Sequence, residues 1–412
     1  TVIAPIEGTP AERAGIRAGD VITHIEDLET LGMTVEEAVR RLKGPKGTSV
    51  QITVRRALSE EPLRFTIVRA DIPTVSIQYA YLIRPGIGYL RIHNFTRTTE
   101  RELQGKLDEL LALGMQNLLL DLRSNPGGLL DQAVKVAEQF LERDRLVVYT
   151  RGRVPGSDQE FRANPKRPLL DLPLIVLVNR SSASASEIVA GAIQDHDRGL
   201  ILGQTTWGKG LVQTVYPLRQ DAALALTTAR YYTPSGRLIQ RDYSSFEDYF
   251  SENPPLPEDS EREIRHTDLG RKVLGGGGIT PDIEVPGEEP TPFMARLSRQ
   301  PILQFAVQYA ARHPDLSRDS FRVTDGILEE FARYLRKQEI PASADEMREN
   351  RSYLETAIRQ EIFSNLWGIQ EGYKVLVESD RQILTALEHF ADARQLALRS
   401  APARASAPLQ DQ

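Results

Sequence analysis

The sequence predicts an α/β core, preceded by a small module of short strands and helices and followed by an all-helical region. Three observations carry this. A short apolar strand, a turn of small residues and a helix follow one another twice, around Leu118–Leu120 and around Leu174–Val178. Alternation of that kind argues a largely parallel sheet covered by helices. Before the core, residues 1–70 mix brief alternating runs with one amphipathic segment. From Pro292 onward the apolar residues recur at helical spacing with no strand between them.

The elements follow in order. Val2 and Ile3 read as strand, Pro10–Ala14 as a short helix, and Gly19-Asp20 as the turn before a strand at Val21–Ile25. Thr34–Leu42 is an amphipathic helix with Val35, Ala38, Val39 and Leu42 on one face and Thr34 able to cap it. Val50–Val54 alternates as a half-buried strand. Ile87–Ile92 opens the core. Thr98–Leu113 is helical, with Leu103, Leu107 and Leu110 in register and Gly114 as its stop. The strand at Leu118–Leu120 runs into Asn125-Pro126-Gly127-Gly128, and a helix follows over Leu129–Leu141. Residues 150–172 are polar, basic and proline-bounded, and are expected to form a surface connection.

Leu174–Val178 is continuous and rich in β-branched residues, as a strand buried on both faces should be. Further strands are expected over Gly199–Gly203, Leu211–Leu218 and Leu224–Tyr232. The acidic, proline-containing residues 242–272 read as an exposed excursion near the site. Gly275–Gly278 is a flexible turn and not a nucleotide loop. Helices are expected over Phe293–Arg312, Thr324–Lys337, Ala344 to about Leu366 and Ser379–Leu398, with Thr324 and Ser379 as N-caps. Phe363, Leu366 and Trp367 read as core. Residues 399–412 are rich in Ala, Pro, Ser and Gln and read as a disordered tail.

Bulk properties narrow the function. The 412 residues are 40% apolar and 26% charged, with no apolar run long enough to span a bilayer. A net charge of −6 gives no general basic face for nucleic acid. With no cysteine there is no disulfide and no cysteine-ligated metal. No signal peptide stands at Thr1, and the first residues read as the interior of a domain.

The chemistry concentrates where the strand at Leu174–Val178 gives way to a helix marked by Ala185, Ile188, Val189, Ala192 and Ile193. Sites form at that edge of α/β sheets, beside free backbone N–H groups and the positive end of a helix dipole. Four serines lie within residues 181–186. Ser181 and Ser182 read as turn residues, and Ser186 as facing away. Ser184 has two readings: the cap of a box closed by Glu187, or a nucleophile. A nucleophile needs a base. His196 lies roughly 18 Å along a continuous helix and is excluded. Lys209, between Gly208 and Gly210, is either a lysine made basic by burial or a solvated lysine in a hairpin turn. The Asn-Pro-Gly-Gly turn is a plain turn, a phosphate cradle without the usual Gly-Lys-Ser/Thr, or a donor site for a developing oxyanion.

Taken together, Asn179, Ser-Ala-Ser-Ala-Ser-Glu-Ile at 182–188, Gly203, Trp207-Gly208-Lys209-Gly210 and Gln213 resemble the carboxy-terminal processing peptidases. Those are serine proteases with a serine–lysine dyad, often extended by glutamine. The run from Gly8-Thr9-Pro10-Ala11 to Gly19-Asp20-Val21-Ile22 resembles a PDZ domain whose beginning is missing. Thr233–Arg237 and Ile279–Ile283 resemble further family segments. The resemblance implies a ClpP/crotonase-like α/β protease core over 75–290, a truncated PDZ domain over 1–70 and a helical region over 291–398 that serves dimerisation in parts of the family.

It also implies Ser184 as nucleophile, Lys209 as a buried base and Gln213 as its orienting residue. The backbone N–H groups of Gly128 and Ala185 become the oxyanion donors. No metal or organic cofactor is required. Substrates would be proteins or peptides held by their C-termini, in the periplasm or cell envelope, with the PDZ domain able to gate the site. Two competing readings are acyl-CoA chemistry of the crotonase type, against which the PDZ segment speaks, and a non-cleaving scaffold, against which the intact Ser184, Lys209 and Gln213 speak.

Overall fold

A computed structural model describes residues 1–412 except 7, 58, 73, 219–221, 243–261, 298 and 401–412. The chain forms two compact units. One comprises residues 1–73 and 288–380, the other residues 74–287 with the chain from Arg381 on.

In the first unit, β1 (Val21–Ile25), β2 (Leu28–Glu29), β3 (Ser49–Arg55) and β4 (Leu63–Val68) make an antiparallel sheet in the order β2-β1-β3-β4. Two helices accompany it, α1 (Pro10–Arg13) and α2 (Val35–Leu42), the second capped as expected by the Thr34 hydroxyl on Glu37 N–H. Ile25, Val50, Ile52 and Val54 fill its core. Val2 and Ile3 form no strand, although Val2 exchanges two backbone bonds of 2.8 Å with the Gly19-Asp20 turn.

A second core in the same unit gathers Phe305, Phe331, Leu354, Ile358 and Ile362 from the helices after Pro292. Gly19 joins the two cores: a Cβ there would stand 2.5 Å from a methyl of Val307. The helices are shorter and more numerous than their periodicity predicts. The stretch 344–366 breaks at Asn350 into Ala344–Glu349 and Arg351–Trp367. Ser379 is not an N-cap; it closes the helix Ile369–Ser379, and its hydroxyl bonds back to Leu376 O at 3.3 Å.

The second unit is built on a six-stranded sheet. Its strands are β5 (Ile77–Arg84), β6 (Ile87–Ile92), β7 (Asn117–Asp121), β10 (Leu174–Val178), β11 (Leu200–Gly203) and β16 (Ile283–Glu284). The order is β16-β11-β10-β7-β6-β5, with only β5–β6 antiparallel. Side chains alternate across the sheet. Leu118, Leu120, Leu174 and Val176 pack with helices α3 (Thr99–Ala112), α4 (Leu130–Ala137) and α5 (Ala185–Asp195). Leu119, Ile175 and Leu177 turn the other way and are equally buried. The last two helices, Arg381–Glu388 and Phe390–Ser400, pack against β10. The helices after Pro292 are thus divided between the two units.

A second, antiparallel sheet has the order β12-β13-β8-β9, from β8 (Leu146–Gly152), β9 (Gln159–Arg162), β12 (Leu211–Pro217) and β13 (Ala223–Tyr232). The surface connection expected over 150–172 therefore carries strand. β9 is an edge strand whose Gln159, Glu160 and Arg162 are exposed, which is why it reads as polar loop. Most of the acidic excursion, 243–261, lies outside the described residues. Beyond it β14 (Ile264–His266) pairs with β15 (Lys272–Leu274). The expected tail also lies outside them from residue 401; residues 399 and 400 end a helix, with Ser400 buried.

Candidate active site

Because β6, β7, β10 and β11 run parallel, the turns that leave their C-terminal ends gather along one edge of the sheet. Asn125 organises the turn after β7. It is fully buried; its Oδ1 accepts the Gly127 N–H at 2.9 Å and its Nδ2 donates to Ile92 O at 2.8 Å. Its own carbonyl accepts the Ala183 N–H and the Ser186 hydroxyl, each at 3.0 Å. The turn is thereby seated on the serine segment.

Both glycines are sterically required. Gly127 has φ +100° and Gly128 φ +146°. A Cβ on Gly127 would lie 2.7 Å from the Ser184 Cβ, and one on Gly128 only 2.1 Å from Phe95 O. Phe95 and Gly128 form a parallel bridge through Phe95 N–H to Gly127 O and Leu129 N–H to Phe95 O. That pattern uses the groups flanking Gly128 and leaves its own N–H off the bridge. Among the described residues, neither the Gly128 N–H nor the Ala185 N–H donates to the protein.

The four serines divide by function. Ser182 is buried, and its hydroxyl bonds Leu122 O at 2.8 Å and the Asn179 N–H at 3.0 Å. Ser186 is buried on Asn125, and Ser181 is an exposed turn residue. Ser184 stands at the N-terminus of α5 with φ +56° and ψ −113°, a backbone conformation unfavourable for a residue with a side chain. Ser184 and Glu187 form the capping box that the sequence suggests, with the main-chain bonds as its well-formed part. The Ser184 N–H donates to the Glu187 carboxylate at 2.8 Å, and its carbonyl accepts the Glu187 N–H at 2.8 Å. The hydroxyl faces the box without completing a side-chain cap hydrogen bond.

Lys209 reaches the same carboxylate. Its N–H donates to Glu187 at 2.9 Å and that of Gly208 at 2.7 Å, while the Trp207 N–H donates to Ser182 O at 2.9 Å. The Tyr231 hydroxyl donates to the Lys209 carbonyl and lies 3.2 Å from the Ser184 carbonyl. Burial pushes the Glu187 carboxyl up, against the pull of its bonds to Thr206, Lys209, Gly208 and Ser184. Burial, then the neighbouring Glu187, holds the Tyr231 phenol well above its usual range.

Lys209 itself is half-buried. Gln213 is not brought in. It lies on β12 just past a bulge, paired with Thr227, with its side chain exposed. Among the described residues no hydrogen bond links the side chains of Ser184, Lys209 and Gln213. His196 caps the far end of α5, bonded to Asp268 at 2.9 Å and Leu146 O at 2.7 Å. Sequence reasoning missed Thr206 and Tyr231 and read Glu187 only as a cap. Tyr231 lies 47 residues beyond Ser184, where no local pattern could signal it.

Residues 86–244 match the model of peptidase family S41, and residues 1–56 match that of the PDZ domain. The carboxy-terminal-processing protease of Bartonella bacilliformis is 44% identical over 243 residues, which are 58% of this chain and 55% of that protein. The carboxyl-terminal-processing protease of a Synechocystis species is 40% identical over 244 residues, 58% of this chain and 56% of that one. The chain thus spans about half the length of the curated relatives it matches. A solved photosystem II D1 C-terminal processing protease is 29% identical, with 69% of this chain and 68% of that chain covered at a TM-score of 0.39.

Proposed function

Since the chain belongs to the carboxy-terminal processing peptidase family, we propose that it is a serine endopeptidase that recognises protein C-termini and cleaves peptide bonds with a Ser184–Lys209 dyad. The observation that carries the reading is the shared carboxylate. Glu187 accepts the N–H of Ser184 at 2.8 Å and of Lys209 at 2.9 Å, so the two loops are tied at the residues the chemistry needs. The spared hydroxyl of Ser184 and the donor-rich turn beside it support the same reading.

In this mechanism Ser184 Oγ attacks the scissile carbonyl while the neutral amine of Lys209 takes its proton. The tetrahedral oxyanion lies between the N–H groups of Gly128 and Ala185, where the loss of one donor costs about 10²–10³ in rate. Lys209 returns the proton to the leaving amine, and water then resolves the acyl-enzyme on Ser184. Gln213 orients Lys209, a role that requires its exposed side chain to turn inward once substrate covers β12. No step calls for a metal or an organic cofactor.

The core over 75–290 is read as ClpP/crotonase-like. Residues 1–70 act as the PDZ domain, which takes a peptide C-terminus by strand addition. The helices of 291–398 pair two chains, a point that solution mass measurement tests. Proteins outside the cytoplasm, in the periplasm or envelope, are the expected substrates. No helix among the described residues is long and apolar enough to cross a membrane. The reading is tested by incubating the protein and its Ser184→Ala form with an envelope extract and sequencing the new C-termini. New termini that appear equally with both forms would refute it.

A further inference from the structure

Four donors converge on one carboxylate in the core. Glu187 is 0% exposed. Its Oε2 accepts the N–H groups of Ser184 and Lys209, and its Oε1 accepts the Gly208 N–H at 2.7 Å and the Thr206 hydroxyl at 2.5 Å. The Thr206 hydroxyl itself accepts the Ile279 N–H at 2.7 Å, so its proton is committed to Glu187. Two donors on each oxygen suit an ionised carboxylate and work against the burial that pushes this group up. A helix cap needs one of these bonds. The other three come from residues 206–209, at 19 to 22 positions' remove.

One phenol closes the arrangement from the opposite polarity. Tyr231 is 2% exposed, and its hydroxyl bonds the carbonyl of Lys209 and approaches that of Ser184. Residues 184 and 209 are therefore each held at both N–H and C=O by the same two side chains. None of these bonds engages the serine hydroxyl or the lysine amine.

We propose that Glu187 and Tyr231 are positioning residues that clamp the main chain of Ser184 to that of Lys209 and so fix the path along which the serine proton reaches the amine. The proposal rests on the peptidase reading above. The clamp also explains how Ser184 keeps its strained backbone: its N–H, which must point into the protein, meets a carboxyl oxygen of Glu187 there at 2.8 Å. A misplacement of about 1 Å between reacting groups can lower a rate about 10²-fold, so small slack at this clamp should be visible in kcat.

The test uses the full chain with Tyr231→Phe and, separately, Glu187→Gln. The first removes a single oxygen. The second keeps the shape but turns an NH₂ toward N–H donors. Peptide cleavage gives kcat, KM and the pH profile of kcat; amide hydrogen exchange reports residues 206–210 directly. The clamp predicts faster exchange at 206–210 with protection kept in β7 and β10, and a kcat about 10- to 100-fold lower with KM within about twofold. It predicts a displaced pH profile as well, because the distance between hydroxyl and amine changes. Unchanged exchange at 206–210 in both variants overturns it. So does faster exchange with kcat held within about twofold, or loss of protection throughout both proteins, which would make the pair merely structural. If the parent shows no Ser184-dependent cleavage, the peptidase reading fails, while local exchange still decides whether the clamp exists.

Discussion

Helix α5 and the hairpin β12–β13 both border the candidate site, and they are built in opposite ways. Every residue of α5 from Ala185 to Asp195 is buried, and its two ends are tied down by Glu187 and by the Asp195–Arg237 pair, both groups of which are almost fully buried. From Gln213 to Pro217, β12 is exposed, and it is the outermost strand of its sheet. Val215 is 63% exposed and Leu226, across the hairpin, 47%. A strained serine backbone can persist only where the surroundings over-determine it, and α5 provides that. A strand with a free edge and few buried contacts opens at low free energy. Pre-organisation is therefore concentrated at Ser184, passes to Lys209 through two side chains, and fades before Gln213.

Predictions follow the same gradient. Removing either proposed reacting group, in Ser184→Ala or Lys209→Ala, should cut peptide cleavage by at least about 10³-fold, with the thermal midpoint close to that of the parent. Residual cleavage above that level in purified Lys209→Ala protein would end the dyad assignment. Gly128→Ala places a Cβ 2.1 Å from Phe95 O, so the turn must move. A kcat lowered about 10²–10³-fold is expected, and parent-like kcat would remove Gly128 from the oxyanion site.

Asp195→Ala attacks the rigid region from the end remote from the serine. It leaves the fully buried Arg237 without its carboxylate partner and should destabilise the fold by about 3–5 kcal/mol, measurable by denaturant unfolding. A loss below about 1 kcal/mol would mean that α5 owes little to this pair.

Acid should also act on the buried region. Burial alone would raise the Asp121 carboxyl, but Arg123, with Arg91 and the Tyr89 hydroxyl, outweighs it and holds the group below its ordinary range. A lowered folded-state pKa means that the unfolded chain binds the proton more readily. The stabilisation is thus complete above the ordinary aspartate range and is lost as pH falls through the folded value. Unfolding free energies measured from neutral to acid pH should decline over that window, and less steeply in Asp121→Asn. Identical slopes would assign the acid sensitivity elsewhere. The smallest effect is expected on the hairpin. Gln213→Ala should lower kcat by about tenfold and leave stability within about 0.5 kcal/mol, since the side chain is exposed. A loss as large as that of Lys209→Ala would contradict the gradient.

Much of the architecture was legible in the sequence because it rests on local periodicity. Leu174–Val178 could hardly be anything but a doubly buried strand, and the spacing of Ala185, Ile188, Val189 and Ile193 fixed the helix after the serines. Where reading failed, the deciding contact was remote. β9 reads as loop because an edge strand needs no apolar face of its own, and only its pairing with Leu146–Thr150 makes it a strand. Ser379 has the chemistry of a cap, but the helix before it continues to that residue and the next begins at Arg381.

By itself the sequence determined a strand, a turn and a helix at residues 174–195, with a serine at the turn and a glycine-flanked lysine one strand later. Hydrophobic period and turn chemistry act over a few residues and can be read from a single chain. Tertiary structure alone decided that Glu187 would collect donors from Ser184, Thr206, Gly208 and Lys209, that Tyr231 would meet the carbonyls of Ser184 and Lys209 from a different sheet, and that Gln213 would stay outside. A hydrogen bond is specified by position in space, and those positions exist only once the sheet that carries β10 and β11 and the sheet that carries β13 have been brought together.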